Sequence, residues 1–289
     1  MTEGTFYLED LRSKFNKIKD NLDSYYLSYS GGKDSHFLYW FIKEYAPEFS
    51  SIEVVGCNTY MEHPEIRRRI YDNADRVLYP ALKPQEIKER YGSPCFSKEQ
   101  DYYIYGWQKA RREGREPSRT TQEKIEGTYK TGFNVSKAAR EYVQRPDAHK
   151  ITHLCCYYLK KKPFHDYEKK SGKKAILGVR GAESALRKSK YTSCFSKNGK
   201  FTPLHDLPDY LLEAIIQEYT IPVPAIYKYI SRTGCMGCPY GSYMGDCERE
   251  LELLEGAQKK FVIDYFKESY DVLGVDYMQG TLFNLSKNY

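Results

Sequence analysis

Six consecutive residues, Ser30-Gly31-Gly32-Lys33-Asp34-Ser35, stand between a short β-favouring run at residues 23–29 and an apolar segment at residues 37–42, and they leave few folds open. Strand, glycine turn, helix is the order in which an α/β protein presents an anion site. Two glycines let the backbone turn tightly, several N–H groups then converge, and the helix N-terminus adds its positive partial charge. Lys33 brings a full charge to the same place, and Ser30 and Ser35 bring hydroxyls suited to phosphate oxygens. The spacing is not G-x-x-x-x-G-K-[ST], so the loop of GTPases and related ATPases is excluded. The string predicts a nucleotide phosphate site.

The rest of the chain alternates in the same sense. Residues 52–57, 76–79 and 175–179 read as further strands, and a helix is expected from Pro64. Strands separated by helical segments predict an α/β fold, a doubly wound and mostly parallel sheet covered on both faces. Residues 98–150 are polar and basic with helical patches such as residues 135–143, and read as a helical insertion. The spacing of Leu251, Leu253, Leu254, Phe261, Val262, Tyr265 and Phe266 predicts an amphipathic helix over residues 248–273. The expected organisation is a domain over 1–247 carrying the insertion, followed by a helical extension over 248–289.

The 289 residues, 40% of them hydrophobic, suffice for a sizeable core. No run of 18 apolar residues exists and the start is polar, so neither a membrane span nor a signal peptide is expected, and the location predicted is cytoplasmic. The net charge of +6 is uneven: residues 101–200 hold 24 Lys or Arg against 10 Asp or Glu. That segment suits an anionic partner, either a nucleotide or a nucleic acid, or is a solvated basic surface. Of the six histidines, His36 alone falls next to the loop.

Eight cysteines are too few for a disulfide scaffold in a chain of this length. Four of them form two pairs, Cys155-Cys156 and, after 78 intervening residues, Cys235-Met236-Gly237-Cys238. Four soft thiolates suit tetrahedral zinc or an iron–sulfur cluster. Adjacent cysteines favour the cluster.

Three blocks resemble one family. The loop at residues 30–35 resembles the PP-motif of the ATP-pyrophosphatase and PAPS-reductase superfamily, which implies a sheet of the adenine nucleotide alpha hydrolase-like type and a bound adenine nucleotide. ATP is the form implied by the intact loop, with PAPS or APS as alternatives and Mg2+ as a candidate companion ion. Cys155-Cys156, followed by Lys160 and Pro163, together with Gly234-Cys235-Met236-Gly237-Cys238, resembles the blocks that hold a [4Fe–4S] cluster in PAPS and APS reductases. That resemblance implies Cys155, Cys156, Cys235 and Cys238 as cluster ligands and Lys160 as a neighbour. Gly178-Val179-Arg180-Gly181-Ala182-Glu183-Ser184-Ala185-Leu186-Arg187 resembles the family's Gly-x-Arg-x-x-Gln-Ser-x-x-Arg motif, with Glu183 for the usual Gln. Its Arg180 and Arg187 are expected to bind sulfate or phosphate oxygens.

The departure from the family concerns its nucleophile. The reductases use a cysteine in a C-terminal Glu-Cys-Gly-x-His segment, and the last cysteine here is Cys247. Among the cysteines outside the two pairs, Cys194 lies in the most basic stretch and joins Lys33 and Asp34 as a candidate catalytic residue, with Cys57, Cys95 and Cys247 as other candidate sulfur acceptors. Three functions fit: an ATP-dependent sulfurtransferase that adenylates an oxygen of a nucleic-acid or small-molecule acceptor, a sulfonucleotide reductase with an atypical or external thiol, or a nucleotide or redox sensor without turnover. The first two imply a protein partner that donates sulfur or electrons.

Overall fold

A computed structural model describes residues 2–244 and 246–278. The last part of the expected helical extension, residues 279–289, lies outside the described residues. The chain divides into two compact units: residues 1–58, 64–79 and 163–233 form the first, and residues 59–63, 80–162 and 234–289 the second.

The first unit is the α/β part. Its strands β1 (Tyr25–Tyr29), β2 (Glu53–Cys57), β3 (Arg76–Leu78) and β4 (Lys174–Ile176) form one all-parallel sheet in the order β3-β2-β1-β4. Strands of a parallel sheet are buried on both faces and need cover on each. On one face Tyr26, Val55 and Ala175 pack with Phe164 and Tyr167 of the helix Lys162–Ser171. On the other, the Tyr29 hydroxyl meets His36 of the helix Lys33–Trp40, and Gly56 lies under Ile70 of the helix Pro64–Asn73. Phe15 anchors the core of this unit, with Phe41, Phe49 and Phe201 at ring distances of 5.1, 5.2 and 5.1 Å.

Two strands are shorter than the sequence suggests. Residues 19–24 form a tight helical turn before β1, because Tyr25 is the first residue to join the ladder. At β4 the ladder stops at Ile176, and Gly178 packs against the loop backbone: a Cβ there would stand 3.0 Å from the Asp34 carbonyl. Glycine is required by that approach.

Among the described residues the second unit is helical apart from an isolated bridge between Ser93 and Ile151. Helices Lys98–Arg112, Arg119–Glu126 and Lys137–Val143 of the basic segment each begin on a serine whose hydroxyl caps the first turn. They enclose Phe96, Ile104, Ile125, Val135, Ala139, Val143 and Ile151, and Val272 and Leu273 pack on this cluster. The expected single helix over 248–273 is two, Asp246–Glu252 and Gly256–Leu273. Leu254 is buried between them and Gly256 takes a φ of +53°, which breaks the helical path. Among the described residues no helix is long and apolar enough to cross a membrane.

Candidate functional sites

The glycine string leaves the carboxyl end of β1, the strand whose neighbours β2 and β4 lie on opposite sides in the sheet order. Chain direction through the sheet reverses there, and in open α/β sheets this is where ligands bind. Gly31 has φ +74° and lies 2.8 Å, by its would-be Cβ, from the Ile66 carbonyl oxygen. Gly32 is extended, and its would-be Cβ faces the Tyr227 hydroxyl at 2.8 Å and Thr233 Oγ1 at 2.9 Å. The two glycines therefore do different work: the first makes the turn, the second keeps a polar surface open.

Ser35 is buried, and its hydroxyl donates to the Gly32 carbonyl at 3.0 Å while accepting the Ser30 N–H at 3.2 Å. Ser30 Oγ lies 3.0 Å from Ser35 Oγ and accepts weakly from Gly32 N. The two serines thus hold the loop closed rather than pointing to its surface. The Lys33 N–H donates to the Tyr227 hydroxyl at 2.9 Å, and Lys33 Nζ sits 3.7 Å from Glu213.

Buried Arg180 pairs with half-buried Asp34. Arg180 Nε donates to Asp34 at 2.6 Å, and its Nη1 donates to Asp209 at 2.6 Å. With 3% of its surface exposed, Arg180 is clamped between two carboxylates. It fixes Asp34 at the first turn of the helix and does not present itself as an open anion receptor. Arg187 is similarly engaged: it pairs with Glu183, whose carboxylate also accepts the Arg180 N–H at 3.0 Å. A glutamine at 183 would leave that arginine's charge uncompensated. His36, near the loop in sequence, faces inward to Tyr29 at 2.9 Å, and burial holds its imidazole at a pKa of about 4, so it is neutral.

Four residues that the sequence did not single out complete the surroundings of the loop. Tyr227 and Thr233 hydrogen-bond each other at 3.0 Å beside Gly32. The turn carrying Tyr227 is anchored by Glu65, which accepts the Ala225 and Ile226 N–H groups at 2.7 and 3.2 Å. Arg69 acts electrostatically on Tyr29, His36 and Tyr227, and its buried Nε has no hydrogen-bond partner. The only sequence signal for it was the run Arg67-Arg68-Arg69.

Cys194 lies apart from these contacts. It is half-buried, its carbonyl accepts the Thr202 N–H at 2.7 Å, and its thiol acts on Tyr7. Cys57 and Cys95 are buried, and burial raises the Cys95 pKa.

In the second unit the two cysteine pairs share one electrostatic environment. Cys155 donates to Cys156, which with Lys98, Lys160 and Lys161 draws the Cys156 pKa down, and the thiols of Cys235 and Cys238 act on Cys155. Lys160 is hydrogen-bonded to Cys235, whose negative charge is the main cause raising the lysine pKa. Burial pushes Cys235 up to about 11 against that pull. Among the described residues no group of three or more His, Cys, Asp or Glu is arranged around a single ion.

The Cys235–Cys238 turn is rigidly held. Met236 N–H donates to the Met61 carbonyl at 2.8 Å, Gly237 N–H to Glu250 at 2.7 Å, and the Gly237 carbonyl accepts the Tyr270 hydroxyl. Cys247 is fully buried and donates its thiol to the Cys238 carbonyl at 2.9 Å, with burial pushing its pKa up to about 12. Its place is structural, behind the turn.

A cavity of about 610 Å³ in the second unit is lined by residues including Trp107, Arg111, Arg115, Glu116 and Glu126. Two arginines opposed by two glutamates leave it without net charge, and it contains none of the residues singled out above.

No family model matches the sequence, and no curated protein matches it. The fold is similar to that of phosphoadenylyl-sulfate (PAPS) reductase from Candida auris in its phosphate complex, at 11% identity and a TM-score of 0.44, covering 75% of this chain and 83% of that one.

Proposed function

We propose that this chain is a PP-loop enzyme of the PAPS reductase type that binds ATP on residues 30–35 and uses it to activate an acceptor for sulfur transfer. The observation that carries the reading is the glycine loop at the carboxyl end of β1, where the sheet order reverses. An acceptor oxygen would attack the α-phosphorus of ATP, the bond to the β-phosphate would break, and pyrophosphate would leave. A hydrosulfide-level sulfur from a donor protein would then displace AMP from the adenylated carbon, with no net oxidation.

The chain's own residues serve the first step. Gly32 and Lys33 N–H groups and the Lys33 ammonium would take the departing pyrophosphate, with the Tyr227 hydroxyl moving off the Lys33 N–H to admit it. Asp34, oriented by Arg180, would hold a Mg2+ ion or a water against the phosphates. Arg69, with its unpartnered Nε, would supply further positive charge.

Cys155, Cys156, Cys235 and Cys238 fit a [4Fe–4S] cluster: four thiols on two segments act on one another, and the cation of Lys160 would offset the charge they carry as thiolate ligands. When bound, such a cluster supplies a redox-active, sulfur-binding centre.

The second reading, a sulfonucleotide reductase, needs a thiol that can reach the sulfonyl group. Cys247 is buried behind the cysteine turn, which disfavours that use. A side-by-side assay tests the choice. Anaerobically prepared protein should convert ATP to AMP and pyrophosphate with acceptor present, and should release no sulfite from PAPS or APS with a thioredoxin system. Sulfite release without pyrophosphate formation would reverse the assignment, and nucleotide binding with neither product would make the protein a sensor.

A further inference from the structure

The helix Lys98–Arg112 carries two faces of different chemistry. Asp101, Ile104 and Gln108 turn inward. Lys98, Tyr102, Tyr105, Lys109 and Arg112 follow the i, i+4, i+7, i+11, i+14 pattern that lines one side of a helix, and none of them is buried. At 1.5 Å per residue this stripe is roughly 20 Å long. A solvated helix face normally carries charge alone; two tyrosines between basic residues are a different composition.

Those tyrosines are held in place. Tyr102 is 56% exposed, yet Tyr103 and His153 meet it edge-on at 5.1 and 5.0 Å, and neither is stacked parallel on it. His153 also meets Tyr105 edge-on at 5.7 Å. The array continues on the segment after the first cysteine pair: Tyr158 stacks on Tyr91 at 4.9 Å and hydrogen-bonds it at 2.9 Å, while Tyr157, 39% exposed, stands against Tyr158 at 5.2 Å. Tyr91, Tyr105 and Tyr157 all lie within electrostatic reach of Tyr158. Lys98 and Lys161 act on His153, and the same two lysines with Lys160 act on Cys156. Pre-ordered rings and cations therefore adjoin the cysteine group within one unit. The acidic residue at the end of the stripe, Glu113, is already paired with Lys109 and Arg115.

We propose that this aromatic and basic face binds single-stranded nucleic acid, with bases stacking on Tyr102 and Tyr157 and phosphates meeting Lys98, Lys161 and Arg112. Rings fixed in advance lose little freedom on stacking, and every base offers a π-face, so the surface needs no sequence code. A duplex hides its bases and can use only the lysines and arginine. The inference deepens the proposed function by naming the acceptor class and rests on that reading for its purpose, but binding itself is measured without ATP or turnover.

The test is fluorescence anisotropy of a labelled 12-nucleotide single strand, and of its duplex, titrated with the anaerobically purified full chain in the absence of nucleotide. The single strand should bind more tightly than the duplex, with affinity falling as salt rises. Tyr102→Ala and Tyr157→Ala should each weaken single-strand binding by roughly 5- to 100-fold, and Tyr102→Phe should not. Lys98→Ala should lower the salt slope by about 0.7. Tyr210→Ala, which removes an exposed tyrosine from the other unit, should change nothing. Thermal melts of each variant check that the fold is kept. No binding at low salt, a preference for the duplex, or single-strand affinity unmoved by both tyrosine-to-alanine changes would overturn the proposal. Strong tyrosine-dependent binding without AMP formation would keep the surface and refute the adenylation reading.

Discussion

The neighbouring glycines of the loop separate stability from binding. At Gly31 an alanine would have to hold φ near +74°, which costs an L-residue about 1–2 kcal/mol, and its Cβ would stand 2.8 Å from the Ile66 carbonyl oxygen and 3.1 Å from that residue's side chain. The carbonyl belongs to the helix Pro64–Asn73 and cannot yield without moving it, so overpacking adds about 1–3 kcal/mol. Gly31→Ala should therefore cost about 2–5 kcal/mol. At Gly32 the backbone is extended and suits any residue, and the Cβ meets the hydroxyls of Tyr227 and Thr233 closely and that of Ser30 at ordinary contact distance. Turning Tyr227 aside loses its hydrogen bonds with Lys33 N–H and Thr233, together worth about 2 kcal/mol. Gly32→Ala should stay folded within about that margin, and Gly32→Val should lose nucleotide affinity because its side chain fills the space over the N–H groups. Urea unfolding of both alanine variants, with calorimetric titration of ATP into the folded ones, reads the two effects separately. Equal stability of Gly31→Ala and wild type would show that Gly31 is not needed for the turn, and unchanged ATP affinity in Gly32→Val would place the nucleotide elsewhere.

Breaking the pairs of Arg180 should be costly on one side only. Arg180→Met leaves Asp34 uncompensated and should lower stability by about 3 kcal/mol, whereas Asp209→Asn, at an exposed carboxylate, should cost under about 1 kcal/mol in the same urea titration. His36 is held neutral in the fold at a pKa of about 4 against 6.5 when free, so its contribution is intact above about pH 6.5 and is lost as pH falls towards 4, to a limit of roughly 3 kcal/mol. Asp101, raised to about 7 chiefly by burial, works the other way, losing stability as pH rises from about 4 through 7. The pH profile of His36→Asn subtracted from wild type isolates the histidine. Cys156→Ser and Cys235→Ser should abolish iron and acid-labile sulfide in anaerobic preparations. Cys247→Ala should keep both and lose about 1–3 kcal/mol of stability, since it removes a thiol-to-carbonyl contact and leaves a small void in place of a fully buried sulfur.

Local chemistry was legible in the sequence and long-range packing was not. The β1–glycine–helix order could be read from residues 23–42 because strand, turn and helix each leave a short-range pattern there. The end of β4 could not, since it is set by Gly178 meeting the backbone of Asp34, 144 positions away in the chain. The partners of Arg180 and Arg187 were hidden for the same reason: a motif names the arginines but not the carboxylates of Asp34, Asp209 and Glu183 that engage them. Tyr227 and Thr233 carry no motif at all and reach the loop only through the turn that Glu65 anchors. The cysteine pairs were visible as pairs, whereas the burial of Cys247 behind their turn follows from helix packing alone.

In the proposed function the N–H groups of Gly32 and Lys33 receive the phosphates of an adenine nucleotide. The most direct measurement is a crystal structure of the full chain, grown anaerobically with a non-hydrolysable ATP analogue. A phosphate group is expected on those two N–H groups beside Lys33 Nζ, with the Tyr227 hydroxyl displaced from Lys33 N–H and the Arg180–Asp34 pair unchanged. Nucleotide seated elsewhere, or a loop left as it is with Tyr227 still bound to Lys33 at saturating nucleotide, would contradict the proposal.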